Sequence, residues 1–470
     1  MAAAKNIVMK FGGTSVQDST SIENVINIVK KQKAGKIVVV SAVARGTNSL
    51  EQIARFSADN KVKDARKLLD ELIARHYAIL EILVTDRGLK KNAIDKISNY
   101  NNKIEELISG LSIIGDLSLR TLDSFRVFGE LMSSTVIFYS MISRGLNVEL
   151  IDSRDIIKSD NEFSRAYPDF SLSQKNFNSK ILPLLKKGKC ILAQGFIAST
   201  VDGISTTMGR ESSDFSAAIY GVLANADEIQ IWTDVDGVLT ADPNIIKGTF
   251  KLSEISFAEM EELSNFGAKV LHKNSIKPAY RKNIPIRVLN SKNTKSSGTV
   301  IYSELKFHQL IKSVTYNKNI IVLRLKPREN LNQFIFWEML INTLAKHKPQ
   351  IDIIISSNNA VLIVIAENNY TKIHYDDLKN EIENFAQFNL IKDKTLITLV
   401  GSDLNSINDF EKRVFCCLPK IKPDSIVFGY NRHSFSILLD VKQTENVLKQ
   451  LHNEFFESHK AENKLFKLIK

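Results

Sequence analysis

Nine residues, Thr206 to Asp214, read TTMGRESSD and gather a guanidinium (Arg210), two carboxylates (Glu211 and Asp214) and adjacent serines (Ser212, Ser213) around one apolar side chain, Met208. A guanidinium so placed forks onto a carboxylate through parallel N–H donors. Glycine, serine and aspartate are also ordinary turn formers, so a solvated turn accounts for the same composition. The surroundings decide. The strand-like run CILAQGFIA precedes the loop and the small-residue helical pattern FSAAIYGVLANA follows it. Asp214 is therefore expected at a helix start, with Ser212 and Ser213 in capping positions and Arg210 facing the site.

Four other stretches carry polar groups at the ends of apolar runs. In VMKFGGTSV a strand over Ile7 to Phe11 ends in Gly12-Gly13-Thr14-Ser15 and leads into a helical pattern from Ser21. That leaves backbone N–H groups free at the carboxyl end of a parallel strand, a place that suits phosphate oxygens, with the Lys10 ammonium in reach. A plain glycine turn with a surface lysine fits the Gly-Gly pair equally, and neither a Walker A pattern nor GxGxxG is present. SAVARGTNSL follows a strand over Ile37 to Val40, and its Gly46 and Thr47 could offer donors beside the first loop. In FGELMSSTV, Glu130 follows Gly129 at the expected start of an apolar helix, where it either favours the helix dipole or accepts a substrate ammonium. IWTDVDGVLTADP runs from a strand over Glu228 to Trp232 into Thr233, Asp234, Gly237 and Asp242-Pro243, a polar loop where open α/β sheets place ligands. FGAKVLH then sets Lys269 ahead of another apolar run.

The elements that must position these residues follow from the rhythm of the chain. Continuous apolar strands alternating with helical patterns over the first ~300 residues imply an α/β domain with an open, mainly parallel sheet covered on both faces, three layers in all. Between about residues 50 and 115 the pattern is helix without strands, a lobe inserted in that domain. Beyond Gly298 the order strand, helix, strand, strand, helix occurs twice, an internal repeat of about 75 residues. Asn358-Asn359 in one copy and Asn431-Arg432-His433 in the other fit hairpin turns.

Composition narrows the class. With 470 residues, 44% hydrophobic and 24% charged, the chain reads as a globular protein of several domains. Cys190, Cys416 and Cys417 match neither a metal spacing nor a disulfide framework, and are expected to be buried small hydrophobes; no protein metal site is expected. The net charge of +11 comes from dispersed lysines with few interleaved aromatics, which argues against nucleic acid and for anionic small molecules. No leader and no membrane-length apolar run is read, so a cytoplasmic location is expected.

Taken in order, KFGGTS, GE with its helix, GRxxSD, WTDVDGVxTADP and FGAKVLH resemble the aspartokinase family of the amino-acid-kinase fold, and the repeat resembles its paired ferredoxin-like ACT domains. The resemblance covers nearly the whole chain. It implies a monofunctional enzyme that transfers the γ-phosphoryl group of ATP, with Mg²⁺, to the β-carboxylate of L-aspartate. The product is 4-phospho-L-aspartate, for the lysine, threonine and methionine branch. The implied domains are a catalytic domain over 1–300, a first ACT-like regulatory domain over 301–390 and a second over 391–470. Lys10, Arg210 and Asp214 match catalytic positions. Thr47, Glu130, Arg210 and Ser213 match substrate positions, with Glu130 toward the α-ammonium. Lys10, Gly12, Gly13, Thr233, Asp234, Asp242 and Lys269 match nucleotide contacts. Phe336, Asp352 and Ser356 fall near the family's effector pocket, which implies lysine or threonine as effector, and a homodimer through the ACT domains is implied as well.

The chain departs from the family pattern at Glu211-Ser212, where Gly-Gly is common, at Leu239 for a tyrosine and at Asn244 for an arginine. Glu211 is expected to point outward or to pair with a lysine. Ile335-Phe336-Trp337 stands where the family has a Gly-Phe-Leu turn, whose glycine angles a β-branched residue resists. These departures keep a second reading open, a catalytically silent amino-acid sensor with a degenerate kinase domain.

Overall fold

The computed structural model describes residues 6–33, 35–209, 212–268, 270–271, 273–303, 310–329, 331–366, 374–418, 421–458 and 466–468. The chain divides into two compact units. One comprises Met1–Val238, Ser253–Phe257 and Val270–Glu304; the other comprises Leu239–Leu252, Ala258–Lys269 and Leu305–Lys470.

The first unit is built on eight strands: β1 (Asn6–Phe11), β2 (Gly35–Val40), β3 (Val148–Ile151), β4 (Cys190–Gln194), β5 (Glu228–Thr233), β6 (Glu254–Ser256), β7 (Ile286–Asn290) and β8 (Thr299–Tyr302). They lie in the order β6-β8-β7-β5-β1-β2-β4-β3. All neighbours are parallel except β7 with β8. The parallel strands read as apolar runs because both faces are covered. Val8, Met9, Phe11 and Val38 to Val40 are fully buried, for example, and Phe11 stacks on Trp232 at 5.9 Å across β1 and β5. With β2 on one side and β5 on the other, the carboxyl end of β1 opens at the centre of the sheet.

Helices Gly46–Ala58, Val62–Leu83 and Arg87–Ile114 form the lobe after β2, and Leu119–Ser143 leads back to the sheet. Leu50, Leu69, Leu80, Ile97, Ile108, Phe125 and Met132, among others, join one apolar cluster with Phe11 and Val40. The lobe is thus seated on the edge of the sheet's own core.

In the second unit the repeat is realised as one antiparallel six-stranded sheet, in the order Ile351–Ser356, Val361–Ala366, Ile311–Pro327, Ala386–Gly401, Ser434–Asp440, Ser425–Val427. Both Asn-containing turns join antiparallel neighbours, as their polar residues suggest. The long first strands of the two copies pair with one another, and each copy keeps its own core under its helices. Ile321, Phe336, Leu340 and Leu378 mark one core; Leu399, Phe410, Phe435 and Leu451 mark the other.

Ile335-Phe336-Trp337 lies inside the helix Gln333–His347 that the repeat's order of elements leads one to expect, entered behind the Asn332 cap, with Phe336 buried and Ile335 exposed. One expectation needs correction. Cys190 is buried, yet Cys416, the last residue of the helix Phe410–Cys416, is exposed, and Cys417 after it is half-buried against the core that Phe410 and Val414 join. Among the described residues no helix is long and apolar enough to cross a membrane.

Candidate active site

Along β1 the side chains alternate, so Lys10 leaves the sheet on the face opposite Met9 and Phe11. Its ammonium lies 2.7 Å from Asp214 Oδ1, with the two side chains only 12% and 9% exposed. Asp214 stands in the first turn of the helix Ser213–Leu223, where the dipole favours its charge. The next two residues of β1's chain must be small. A Cβ on Gly12 would sit 3.3 Å from Lys10 Nζ, and one on Gly13 would sit 3.1 Å from the Ala42 carbonyl oxygen.

Ala42, in the loop after β2, ties this turn to Glu130. Its N–H donates to Glu130 Oε1 at 3.2 Å while its carbonyl lies against Gly13. Glu130 is 3% exposed and its Oε2 has no partner among the described residues. Burial pushes its carboxyl up to about 8, against partial relief from the Ala42 N–H. The expected helix start at Gly129-Glu130 is wrong. The helix begins at Leu119, capped by Ser118 Oγ on the Thr121 N–H, so Glu130 is a mid-helix residue held by burial and not by the dipole. Gly129 lets that helix approach: a Cβ there would meet Ala42 Cβ at 3.1 Å and Leu50 Cδ1 at 3.3 Å, with the Thr47 nitrogen at 3.7 Å. Thr47 occupies the first turn of Gly46–Ala58, entered through the left-handed Arg45 at φ 66°.

Ser213 is packed over Gly195, the residue after β4, where a Cβ would come within 2.6 Å of Ser213 Cβ. The capping bond expected from Ser212 is not made. Its backbone, at φ −80° and ψ 8°, is not extended, and its buried Oγ has no partner among the described residues. At the end of β5, the Thr233 carbonyl accepts from the N–H and hydroxyl of Ser291, whose Oγ also meets Ser15 Oγ at 2.9 Å. Asp234 is exposed beside it, accepting from Thr233 Oγ1. Lys10, Gly12, Gly13, Thr47, Glu130, Ser213, Asp214, Thr233 and Asp234 therefore come from the carboxyl ends of β1 and β5, the turns after them, and three helices, Gly46–Ala58, Leu119–Ser143 and Ser213–Leu223. Arg210, Glu211 and Lys269 lie outside the described residues. Asp242 belongs to the other unit, where its Oδ1 accepts from the backbone and side-chain nitrogens of Asn244 and its Oδ2 from the Tyr316 hydroxyl. In that unit Phe336 is 1% exposed and packs on Phe385, while Asp352 and Ser356 share the strand Ile351–Ser356.

Sequence reasoning missed Asp123. Fully buried, it accepts from Ser164 N (2.7 Å) and Oγ (2.9 Å), and from Thr207 N (2.9 Å) and Oγ1 (2.7 Å). Arg126 bridges it to Glu51. The threonines of TTMGRESSD are thus anchors: Thr207 on Asp123, and Thr206 on Ser159 Oγ at 2.7 Å. The available signal was an Asp and an Arg at i, i+3 inside an apolar helical pattern. Asp123→Ala would strand several buried donors and is expected to cost roughly 3 kcal/mol or more, read as a lower urea midpoint.

Comparison with known proteins follows this geometry. The amino acid kinase family matches residues 5–290. Over 460 residues the chain is 28% identical to the lysine-sensitive aspartokinase 3 of Escherichia coli (strain K12), covering 96% of this chain and 99% of the relative. It is 36% identical over 301 residues to an aspartokinase of Chlamydia trachomatis serovar D, covering 64% and 65%. The crystal structure of E. coli aspartokinase III in complex with aspartate and ADP (R-state) superposes with a TM-score of 0.87 at 28% identity, over 96% of this chain and all of that one. The same enzyme in complex with lysine and aspartate (T-state) gives 0.79, again at 28% identity, over 96% and 99%.

Proposed function

The chain belongs to the amino acid kinase family, and from that membership together with the site around Lys10 we infer that it is an aspartate kinase, transferring the γ-phosphoryl group of Mg·ATP to the β-carboxylate of L-aspartate to give 4-phospho-L-aspartate and ADP. The observation that carries this reading is Glu130. A carboxylate buried to 3% exposure, with one oxygen unpartnered among the described residues, is costly unless a cation completes it, and an amino acid's α-ammonium is such a cation. The likeness to an enzyme whose structure holds aspartate and ADP supports the same substrate pair.

The chemistry asks little covalent work of the protein. Aspartate's side chain, with an ordinary pKa near 3.9, is already ionised at neutral pH, so the nucleophile needs no general base. What remains is to bring two anions in line and offset their repulsion. Lys10 supplies a cation and the Gly12-Gly13 turn supplies backbone donors. Arg210 grips a substrate carboxylate, Thr47 and Ser213 add hydroxyls, and Mg²⁺ arrives with ATP to neutralise phosphate charge. Asp214 orients Lys10 and takes no substrate proton. Thr233, Asp234, Asp242 and Lys269 are assigned to the nucleotide. Residues 1–300 carry the reaction; 301–390 and 391–470 are ACT-like regulatory domains through which a homodimer forms. Lysine or threonine is the effector, held by Asp352 and Ser356 near Phe336, and the enzyme is cytoplasmic.

The test is ADP release with Mg·ATP and L-aspartate, with hydroxylamine trapping the acyl phosphate, L-glutamate as control and Arg210→Ala alongside. Aspartate-dependent hydroxamate that disappears in the variant is the expected result. Aspartate binding without hydroxamate would overturn it in favour of a silent sensor.

A further inference from the structure

The stretch assigned to the nucleotide, from Leu239 onward, has little regular structure of its own, and it is held by one short piece of the strand Ile311–Pro327. Ser313 Oγ donates to the Leu239 carbonyl at 2.9 Å, Val314 N to the Thr240 carbonyl at 2.8 Å, and the Tyr316 hydroxyl to Asp242 Oδ2 at 3.0 Å. The second nucleotide stretch is gripped by the same piece. Thr315 Oγ1 donates to the Phe266 carbonyl at 3.3 Å, and Gly267, at φ 110°, lies so close to the Tyr316 carbonyl that a Cβ there would be 2.2 Å away. Across the strand, Val314 to Tyr316 pair in register with Ile397 to Leu399 of the second repeat. Thr240 is further tied through Oγ1 to His452 Nε2 at 2.9 Å, on that repeat's last helix. Ala241, Ile246 and Phe250 join the apolar core of Phe410, Phe435 and Leu451.

We propose that Tyr316 is a positioning residue for nucleotide binding: its hydroxyl fixes the Asp242 carboxylate to the strand that heads the tandem repeat, so that nucleotide affinity answers to the placement of that strand. This rests on the reading of Asp242 as a nucleotide contact. Among the described residues Asn244 holds Oδ1, by its backbone and side chain. Those bonds are local to the turn, whereas the Tyr316 bond on Oδ2 ties the carboxylate to the sheet. Burial and the Asp242 charge push the phenol up to about 12, so it remains a donor throughout the working pH range. The chain carries Asn244 where an arginine is usual, so that turn residue supplies no cation to the carboxylate, and the tie from the sheet matters more.

The experiment is calorimetric titration of Mg·ADP and, separately, L-aspartate into the wild-type protein, Tyr316→Phe, Asp242→Asn and the double variant. Tyr316→Phe keeps the ring and removes only the hydroxyl. It is expected to weaken ADP binding about ten-fold or more, from the lower end of the scale of one hydrogen bond to a charged group upward, with aspartate binding unchanged. The double variant is expected to be no weaker than Asp242→Asn alone. Normal ADP binding by Tyr316→Phe beside a weakened Asp242→Asn would overturn the inference and leave the nucleotide reading standing. Normal ADP binding by Asp242→Asn would remove that reading and the inference with it. Equal loss of ADP and aspartate affinity in Tyr316→Phe would mark a merely structural tyrosine, and additive losses would separate the two residues; either overturns the proposal.

Discussion

Replacing Lys10 with methionine is expected to lower kcat/KM for phosphoryl transfer by about a thousand-fold or more, roughly 4 kcal/mol of lost transition-state stabilisation, while aspartate still binds within several-fold. The reason lies in where the ammonium sits. It is the cation on β1, 12% exposed, beside a glycine whose missing Cβ leaves room for an approaching anion. Its partner Asp214 is 9% exposed, so Lys10→Met also leaves that carboxylate without its 2.7 Å counter-ion. Lost activity alone would therefore be ambiguous. Asp214→Asn in the Lys10→Met background separates the causes: it relieves the stranded charge and is expected to restore thermal stability without restoring turnover. Asp214→Ala alone is expected to slow turnover less than Lys10→Met, since the lysine remains but is no longer aimed. Turnover of Lys10→Met within ten-fold of wild type would remove Lys10 from the chemistry, and unchanged turnover in Asp214→Ala would remove the orienting role.

The turns of the candidate site were legible because each follows a strand buried on both faces, and such strands announce themselves as apolar runs. KIVVVSAV and EIQIWTDV leave little choice of where the strand ends and the polar turn begins. The repeat was legible for a similar reason, since its two copies present the same order of periods. Glu130's setting was not. The run from Leu119 to Phe128 mixes Arg120, Asp123 and Arg126 with apolar residues, and nothing local says that Asp123 is satisfied from Ser164 and Thr207, far along the chain. A buried network of this kind has no sequence period. The same holds for Asp242, which reads as part of the loop after β5 but is gripped by Tyr316 of the repeat's first strand. Ile335-Phe336-Trp337 was legible as well: a β-branched residue where the family has glycine points away from a turn, and the local pattern behind the Asn332 cap is helical.

With Glu130 as the proposed acceptor of the α-ammonium, the reaction is expected to depend on pH in the same sense as any required carboxylate but far above the range in which an exposed one titrates. Its carboxyl stands at about 8 in the free protein because burial disfavours the charge, yet only the ionised form can hold an α-ammonium. The kcat/KM for aspartate, which reports the free enzyme, is expected to climb as pH rises from 6.5 and to level off just above 8, approaching ten-fold per unit at the low end. At saturating aspartate the ammonium holds Glu130 ionised, so kcat should stay nearly flat over the same window. Glu130→Gln is expected to raise the KM for aspartate about a hundred-fold and to abolish the climb, leaving the KM for ATP within a few-fold. Stability must follow the same proton with its own sign. The folded value of about 8 lies above the ordinary 4.5, so the folded state holds a proton that the unfolded chain releases. Glu130's contribution is then intact below pH 4.5 and lost progressively up to 8, at roughly 1.4 kcal/mol per unit across that window. Glu130→Gln should therefore be more stable than wild type at pH 8.5 while being the poorer enzyme, a stability gained by giving up the charge that the substrate requires. A flat wild-type kcat/KM between pH 6.5 and 8.5, or an unchanged KM for aspartate in the variant, would remove Glu130 from the ammonium site.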